Sequence, residues 1–117
     1  MRGFALLPLA ISVLLPGIAS AQELTGAQIK ELLSGKTGSW QSVDGKIKGK
    51  TGWGADGTAT VTGNFGEFDQ DTGKWRVKGD QYCTKWSKIR KGKESCNPVI
   101  SLGNGSYQVG NSVFKLK

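Results

Sequence analysis

The chain has 117 residues, sixteen cationic against nine acidic for a net charge of +7, with two cysteines, four tryptophans and no histidine. Without histidine there is no Ser–His or Cys–His nucleophile pair, no imidazole general base and no His-ligated zinc or copper. The only methionine is Met1, so carboxylates, lysines and two cysteines are the chemistry that remains, and no enzyme is expected.

The chain opens on Met1-Arg2, an apolar run from Phe4 to Ala19 and the small-x-small triplet Ala19-Ser20-Ala21. That order is the anatomy of a secretory signal peptide over residues 1–21. The run is proline-broken and shorter than the roughly 20 residues of a spanning helix, so no membrane span is expected. Gln22 follows the cut, which leaves no cysteine there to take a lipid. Loss of Arg2 leaves residues 22–117, a 96-residue chain of charge +6. Its expected location is periplasmic or secreted, and its size suits one domain with a modest core.

One segment reads as helix. In "LTGAQIKELLSG", Thr25 is the N-cap and Gln28 stands three residues on, the capping-box spacing; Leu24 before the cap can staple against Ile29. Ile29, Leu32 and Leu33 form one apolar stripe, and Gly35 is placed to end the helix. Such a short, one-sided helix should cover an open end or a face of something larger.

From Lys36 onward the chain reads as β. Glycines at Asp44-Gly45, Asp56-Gly57, Thr72-Gly73, Lys91-Gly92-Lys93 and Gly103 to Gly105 mark turns. Between them lie short alternating runs, most clearly "KWRVK", where Trp75 and Val77 face one way and Lys74, Arg76 and Lys78 the other. Seven or eight strands are expected, near residues 37–43, 46–53, 58–64, 65–69, 74–79, 81–89, 95–102 and 107–116. The expected fold is all-β, a small antiparallel meander closing into a barrel, with a two-layer β-sandwich as the alternative. Residues 22–117 form this single domain.

Cys83 and Cys96 are expected to pair, as two cysteines in an exported chain do. They close a loop of about 14 residues, which chain entropy makes stabilising by about 3 kcal/mol. Redox pairs are usually C-x-x-C near a helix start; here twelve residues intervene.

Three other stretches resemble sites. "SGKT" at Ser34 to Thr37 echoes a phosphate loop, but Lys30 stands where that motif needs glycine, and the order here is helix then strand. Glu67, Asp69 and Asp71 followed by Gly73 resemble part of a calcium loop. No bidentate glutamate follows, so Asp69 and Asp71 are a weak metal candidate; hairpin turns favour Asp and Gly for their own reasons, and no metal or other cofactor is expected. The strongest feature is cationic. Lys74, Arg76, Lys78, Lys85, Lys88, Arg90, Lys91 and Lys93 are eight of the fifteen cations after residue 21, with only Asp80 among them. Gathered by the disulfide they would form an anion-attracting surface, although exposed lysines also serve solubility and guard strand edges. The tryptophans alternate with cations, as in "KWSKIRK"; single-stranded nucleic-acid binders use that interleaving. A domain this small needs its tryptophans for a core, so nucleic acid is not the expected partner.

The run G-K-W-R-V-x-G-D-x-Y-C-x-x-W from Gly73, the second cysteine and the later G-x-G-x-Y resemble an uncharacterised family of small exported proteins from alphaproteobacteria related to rhizobia. "LTGAQIKELLSGKT" and Asp56 to Thr58 extend the resemblance over most of the chain after the signal. It implies periplasmic or secreted placement, a β-barrel fold and paired cysteines, and carries no substrate or catalytic residue. The expected function is thus a non-enzymatic exported module binding an anionic partner, whether glycan, lipid phosphate or acidic protein, through the basic stapled hairpin. Alternatives are an inhibitor of an exported enzyme, using "KIRKGKE" as an inserted loop, and a carrier holding a small molecule inside the barrel. The carrier ranks last of the three because small barrels usually fill with their own side chains. Oligomeric state is not legible.

Overall fold

A computed structural model describes residues 21–64, 66 and 68–116. The expected signal segment therefore lies, but for Ala21, outside the described residues, as do Phe65, Glu67 and Lys117. Among the described residues no helix is long and apolar enough to cross a membrane.

The elements in chain order are β1 (Gln22–Glu23), α1 (Gly26–Leu33), β2 (Lys36–Ser42), β3 (Lys48–Trp53), β4 (Thr58–Gly63), β5 (Gln70–Lys78) and β6 (Gln81–Trp86). A 3-10 turn at Ile89–Gly92 follows, then β7 (Ser95–Asn97), β8 (Ile100–Gly103), β9 (Ser106–Val109) and β10 (Ser112–Leu116). They form one antiparallel sheet, ordered β1-β8-β9-β10-β2-β3-β4-β5-β6-β7, that curls into a half-barrel. The expected all-β antiparallel fold is what the chain forms, curled as far as a half-barrel, with β1 and β7 at the two ends of the sheet order rather than closed on each other. It is one sheet rather than the two layers of a sandwich.

Alternation decides which side chains line the concave face. Along β5 the burial pattern runs Asp71 buried, Trp75 buried and Val77 half-buried, with Lys74, Arg76 and Lys78 exposed between them. Register carries the same parity to the neighbours, pairing Trp75 with Thr84, Val77 with Tyr82 and Gly73 with Trp86. Ile29, Leu33, Trp53, Ala59, Val61, Trp75, Trp86, Val99 and Phe114 form the buried core. Trp53 and Phe114 pack tilted, with ring centroids 5.3 Å apart, and Tyr107 stacks on Phe114 at 5.4 Å.

The helix closes one end of this half-barrel. Thr25 Oγ1 accepts from the Gln28 N–H at 3.2 Å and Gln28 Oε1 accepts from the Thr25 N–H at 2.8 Å, so the capping box forms. Ile29 and Leu33 are fully buried, and α1 packs on β5, β6 and β2. Its first turn docks on the β5–β6 turn, where the Gly26 N–H donates to Asp80 Oδ1 at 2.7 Å. A Cβ at Gly26 would collide with the Gly79 carbonyl, which fixes glycine there. Gly35 has φ +76°, and its N–H donates to the Trp53 carbonyl at 2.7 Å, ending the helix against β3.

Several expected boundaries differ. Thr72-Gly73 is not a turn but lies within β5, where a Cβ on Gly73 would strike the Lys85 backbone; the glycine lets β5 and β6 come close as the sheet bends. The strand expected at 65–69 does not form among its described residues, Gly66, Phe68 and Asp69. The strand expected at 81–89 stops at Trp86. That expected over 95–102 is interrupted at Pro98, which has no N–H to give a ladder. That over 107–116 breaks at the Gly110-Asn111 turn. These breaks, with β1, raise the strand number to ten.

Candidate functional site

The concave face of the half-barrel holds an open cavity of about 690 Å³, within the range of small-molecule sites. Its walls are the concave faces of the strands, rich in aromatics: Trp40 from β2, Trp53 from β3, Tyr82 and Trp86 from β6 and Phe114 from β10. The residues bounding its mouth come from one end of the sheet, opposite α1. They include Ile47 before β3, Phe68 before β5, Ile89 and Arg90 after β6, and Gly110-Asn111 between β9 and β10. Ile47 is 36% exposed and the neighbouring Val43 60%, an apolar lip on the β2–β3 turn.

Polar side chains also line this concave face, among them Thr51, Ser95, Asn97 and Asn111, and those of β6 are held in place. Trp53 Nε1–H donates to the Tyr82 hydroxyl at 2.8 Å. Burial pushes the Tyr82 phenol up to about 12, against the lowering influence of the Trp53 N–H and the Arg90 charge, so it stays protonated. Thr84, only 6% exposed, accepts from Arg90 Nη2–H at 2.8 Å. Partial burial pulls the Arg90 guanidinium below its usual range. Trp75, which lies behind the helix end and not on the cavity, spends its indole N–H on the Gly54 carbonyl at 2.8 Å.

Arg90 reaches Thr84 because of an unusual backbone. Arg90 and Lys91 have φ of 54° and 56°, left-handed values that each cost a non-glycine residue roughly 1–3 kcal/mol unless the surroundings impose them. Asp71 helps impose them. Its carboxylate, buried on β5, accepts the backbone N–H groups of Lys88 (2.8 Å) and Ile89 (2.9 Å), as well as that of Thr72 (2.8 Å). Burial alone would raise the Asp71 carboxyl, but these three donors outweigh it and hold the pKa below the usual carboxylate value. Ser87 adds two bonds to the Thr72 carbonyl, from N at 3.0 Å and Oγ at 2.9 Å.

The Asp71 geometry also bears on the weak calcium candidate. Donor hydrogens occupy the Asp71 oxygens that a cation would need, and the Asp69 backbone carbonyl accepts from the Gly63 N–H. Glu67, the third acid of that run, lies outside the described residues.

The eight expected anion-binding residues divide. Lys74, Arg76, Lys78 and Lys85 stand exposed on the convex wall of β5 and β6, with Lys74 directly opposite Lys85. Arg76 is neutralised there by Glu94 in a two-pronged bond, 2.8 Å on each prong. Lys88, Arg90, Lys91 and Lys93 lie on the loop after β6, the loop whose Ile89 and Arg90 border the cavity. Lys88 Nζ sits 5.0 Å from the Phe68 ring centroid. Only Arg90 of the eight lines the cavity.

The cysteines face each other across β6 and β7. Cys83 is paired in register with Cys96, and the two form a disulfide with Cα atoms 4.0 Å apart. Cys83, Cys96 and Glu94 converge closely enough to suggest a metal site; in the oxidised protein the sulfurs are bonded to each other and Glu94 is engaged with Arg76. A second cavity, beside α1, is lined by both signs of charge, including Lys30, Asp56, Arg76 and Asp80, and so favours neither sign of ligand.

Sequence reasoning missed Tyr82, Thr84 and the inward turn of Arg90. A signal for the first two exists in "YCTKW": Tyr82, Thr84 and Trp86 share one parity, the face opposite Cys83 and Lys85. No family model matches the chain, and comparison with curated proteins and with solved structures found no match.

Proposed function

We propose that the protein is a non-catalytic, exported binding module that takes a small molecule with an apolar or aromatic body into its concave face. The observation carrying this reading is the aromatic cavity of about 690 Å³, stoppered by α1 at one end and open at the other. A chain that needed its tryptophans only for a core would pack them to native density. Here the half-buried Trp40, together with Trp53 and Trp86 of the core, also contributes to the walls of a space large enough for a ligand. Lys88, Arg90, Lys91 and Lys93 on the loop beside the cavity give a positive field that speeds the approach of anions, so the expectation of an anionic partner is kept while its seat moves from the convex hairpin to the interior. Export is supported by the leader-like sequence of residues 1–21 and by the Cys83–Cys96 disulfide.

N-phenyl-1-naphthylamine, a neutral aromatic dye that brightens in apolar surroundings, tests the site. We expect saturable binding of about one dye per chain, with quenching of tryptophan emission. Val109→Trp, which fills space from the β9 wall, should abolish it while cooperative thermal unfolding persists. Dye binding that survives Val109→Trp undiminished would place the dye elsewhere and remove the proposal.

A further inference from the structure

Deepening the proposed reading, on which it rests, we infer that the cavity's ligand is an organic monoanion whose head group is held by Arg90 with the hydroxyls of Tyr82 and Thr84. Among the described residues lining the cavity, Arg90 is the one charged side chain; no Asp or Glu is there to balance it. Nor does Arg90 form a salt bridge elsewhere among the described residues. One of its N–H groups goes to Thr84, and a guanidinium carries several more, set in a planar fork suited to carboxylate, sulfonate or phosphate oxygens.

The hydroxyls are donors in waiting. The Tyr82 oxygen already accepts from Trp53, and no acceptor for its hydrogen exists among the described residues. The Thr84 oxygen likewise accepts from Arg90, which leaves its hydrogen to be given. Two hydroxyl donors and one positive charge thus face the cavity with no carboxylate among its described lining residues, only neutral acceptors such as Ser95 and Asn97, and an anion supplies the missing negative charge. Arg90 is exposed to water without a ligand, and a neutral ligand seated against it would displace that water without returning an acceptor. The body of the ligand lies against the aromatic walls, where flat rings stack on Trp and Phe. A single cation matches a single negative charge.

The test uses two dyes that share an anilinonaphthalene body, the neutral N-phenyl-1-naphthylamine and the anionic 1-anilinonaphthalene-8-sulfonate, titrated into the oxidised protein at fixed ionic strength. A charge-assisted head-group contact predicts the sulfonate binding about tenfold tighter. Arg90→Gln should reduce sulfonate affinity to that of the neutral dye and leave the neutral dye unchanged. Tyr82→Phe should give a smaller loss, confined to the sulfonate, and serves as the reading if Arg90→Gln fails to fold. Lys91→Gln removes an equal charge from the loop beside the cavity and should change sulfonate affinity by no more than about twofold, as expected of screened steering. Equal affinities in the wild type, equal weakening of both dyes by Arg90→Gln, or a Lys91→Gln loss as large as that of Arg90→Gln overturns the anion inference and leaves the cavity reading standing. Failure of both dyes to bind overturns the two together.

Discussion

Asp71 stands in a run, Glu67 to Gly73, that has the composition of a turn. Its carboxylate instead sits buried on a strand, collecting three backbone N–H groups. Nothing in the local sequence announces this, because two of the donors, Lys88 and Ile89, are seventeen and eighteen residues away. The left-handed backbone of Arg90 and Lys91 is equally hidden: non-glycine residues adopt it only when neighbours impose it. Tyr82 allows a quantitative check at this scale. Its pKa rises from an ordinary 10.0 to about 12, so the folded state keeps a proton that the unfolded chain releases. The associated stability is present in full below pH 10 and is lost as pH climbs towards 12. The two-unit difference corresponds to roughly 2–3 kcal/mol. Urea unfolding of wild type and Tyr82→Phe at pH 9 and pH 11.5 should show a fall in the wild type that exceeds the variant's by an amount of that order. Parallel pH profiles would deny the buried phenol.

At the scale of elements, local chemistry was legible wherever it acts over a few residues. The capping box of Thr25 and Gln28 forms as its spacing predicts, and "KWRVK" divides between core and surface as its alternation predicts. Thr72-Gly73 misled because glycine serves two ends: it makes turns, and it lets adjacent strands approach in a strongly bent sheet. The disulfide is an element-scale device. β7 is only three residues long and forms one end of the sheet order, too short to hold by its ladder alone. The Cys83–Cys96 bond fixes it to β6 and, through Glu94 and Arg76, to the outer wall. Replacing both cysteines with serine should lower stability by about 3 kcal/mol. Amide exchange at Ser95 to Asn97 should accelerate well beyond that at Trp75 and Val77 in β5. Uniform acceleration across the sheet would show that β7 does not depend on the staple in this way.

For the whole molecule, the sequence supplies the class of fold but not its hollow. Turn residues and short alternating runs predict an all-β antiparallel meander, and that is what forms, with ten strands curled into a half-barrel rather than a closed barrel. Whether the concave face is filled or empty depends on how far ten short strands bend and on how large tryptophans and small residues distribute around them, which no window of sequence encodes. The same holds for charge. Eight cations crowded into twenty residues read as one patch, yet the chain leaves the sheet after Trp86 and carries four onto the loop beside the cavity while four remain on the convex wall. An aromatic-lined cleft bordered by Arg90 and a helix packed across one end are properties of the assembled half-barrel, not of any one segment.

The indole N–H region of a two-dimensional ¹H–¹⁵N spectrum tests the interior seat of the ligand most directly, since four tryptophans report from known places. Titration with 1-anilinonaphthalene-8-sulfonate should shift the Trp40, Trp53 and Trp86 indole signals, which belong to the cavity wall, and leave that of Trp75, bonded to the Gly54 carbonyl outside it, in place. Shifts confined to the backbone amides of Lys74, Lys78 and Lys85 on the convex wall, with all four indoles still, would contradict the account.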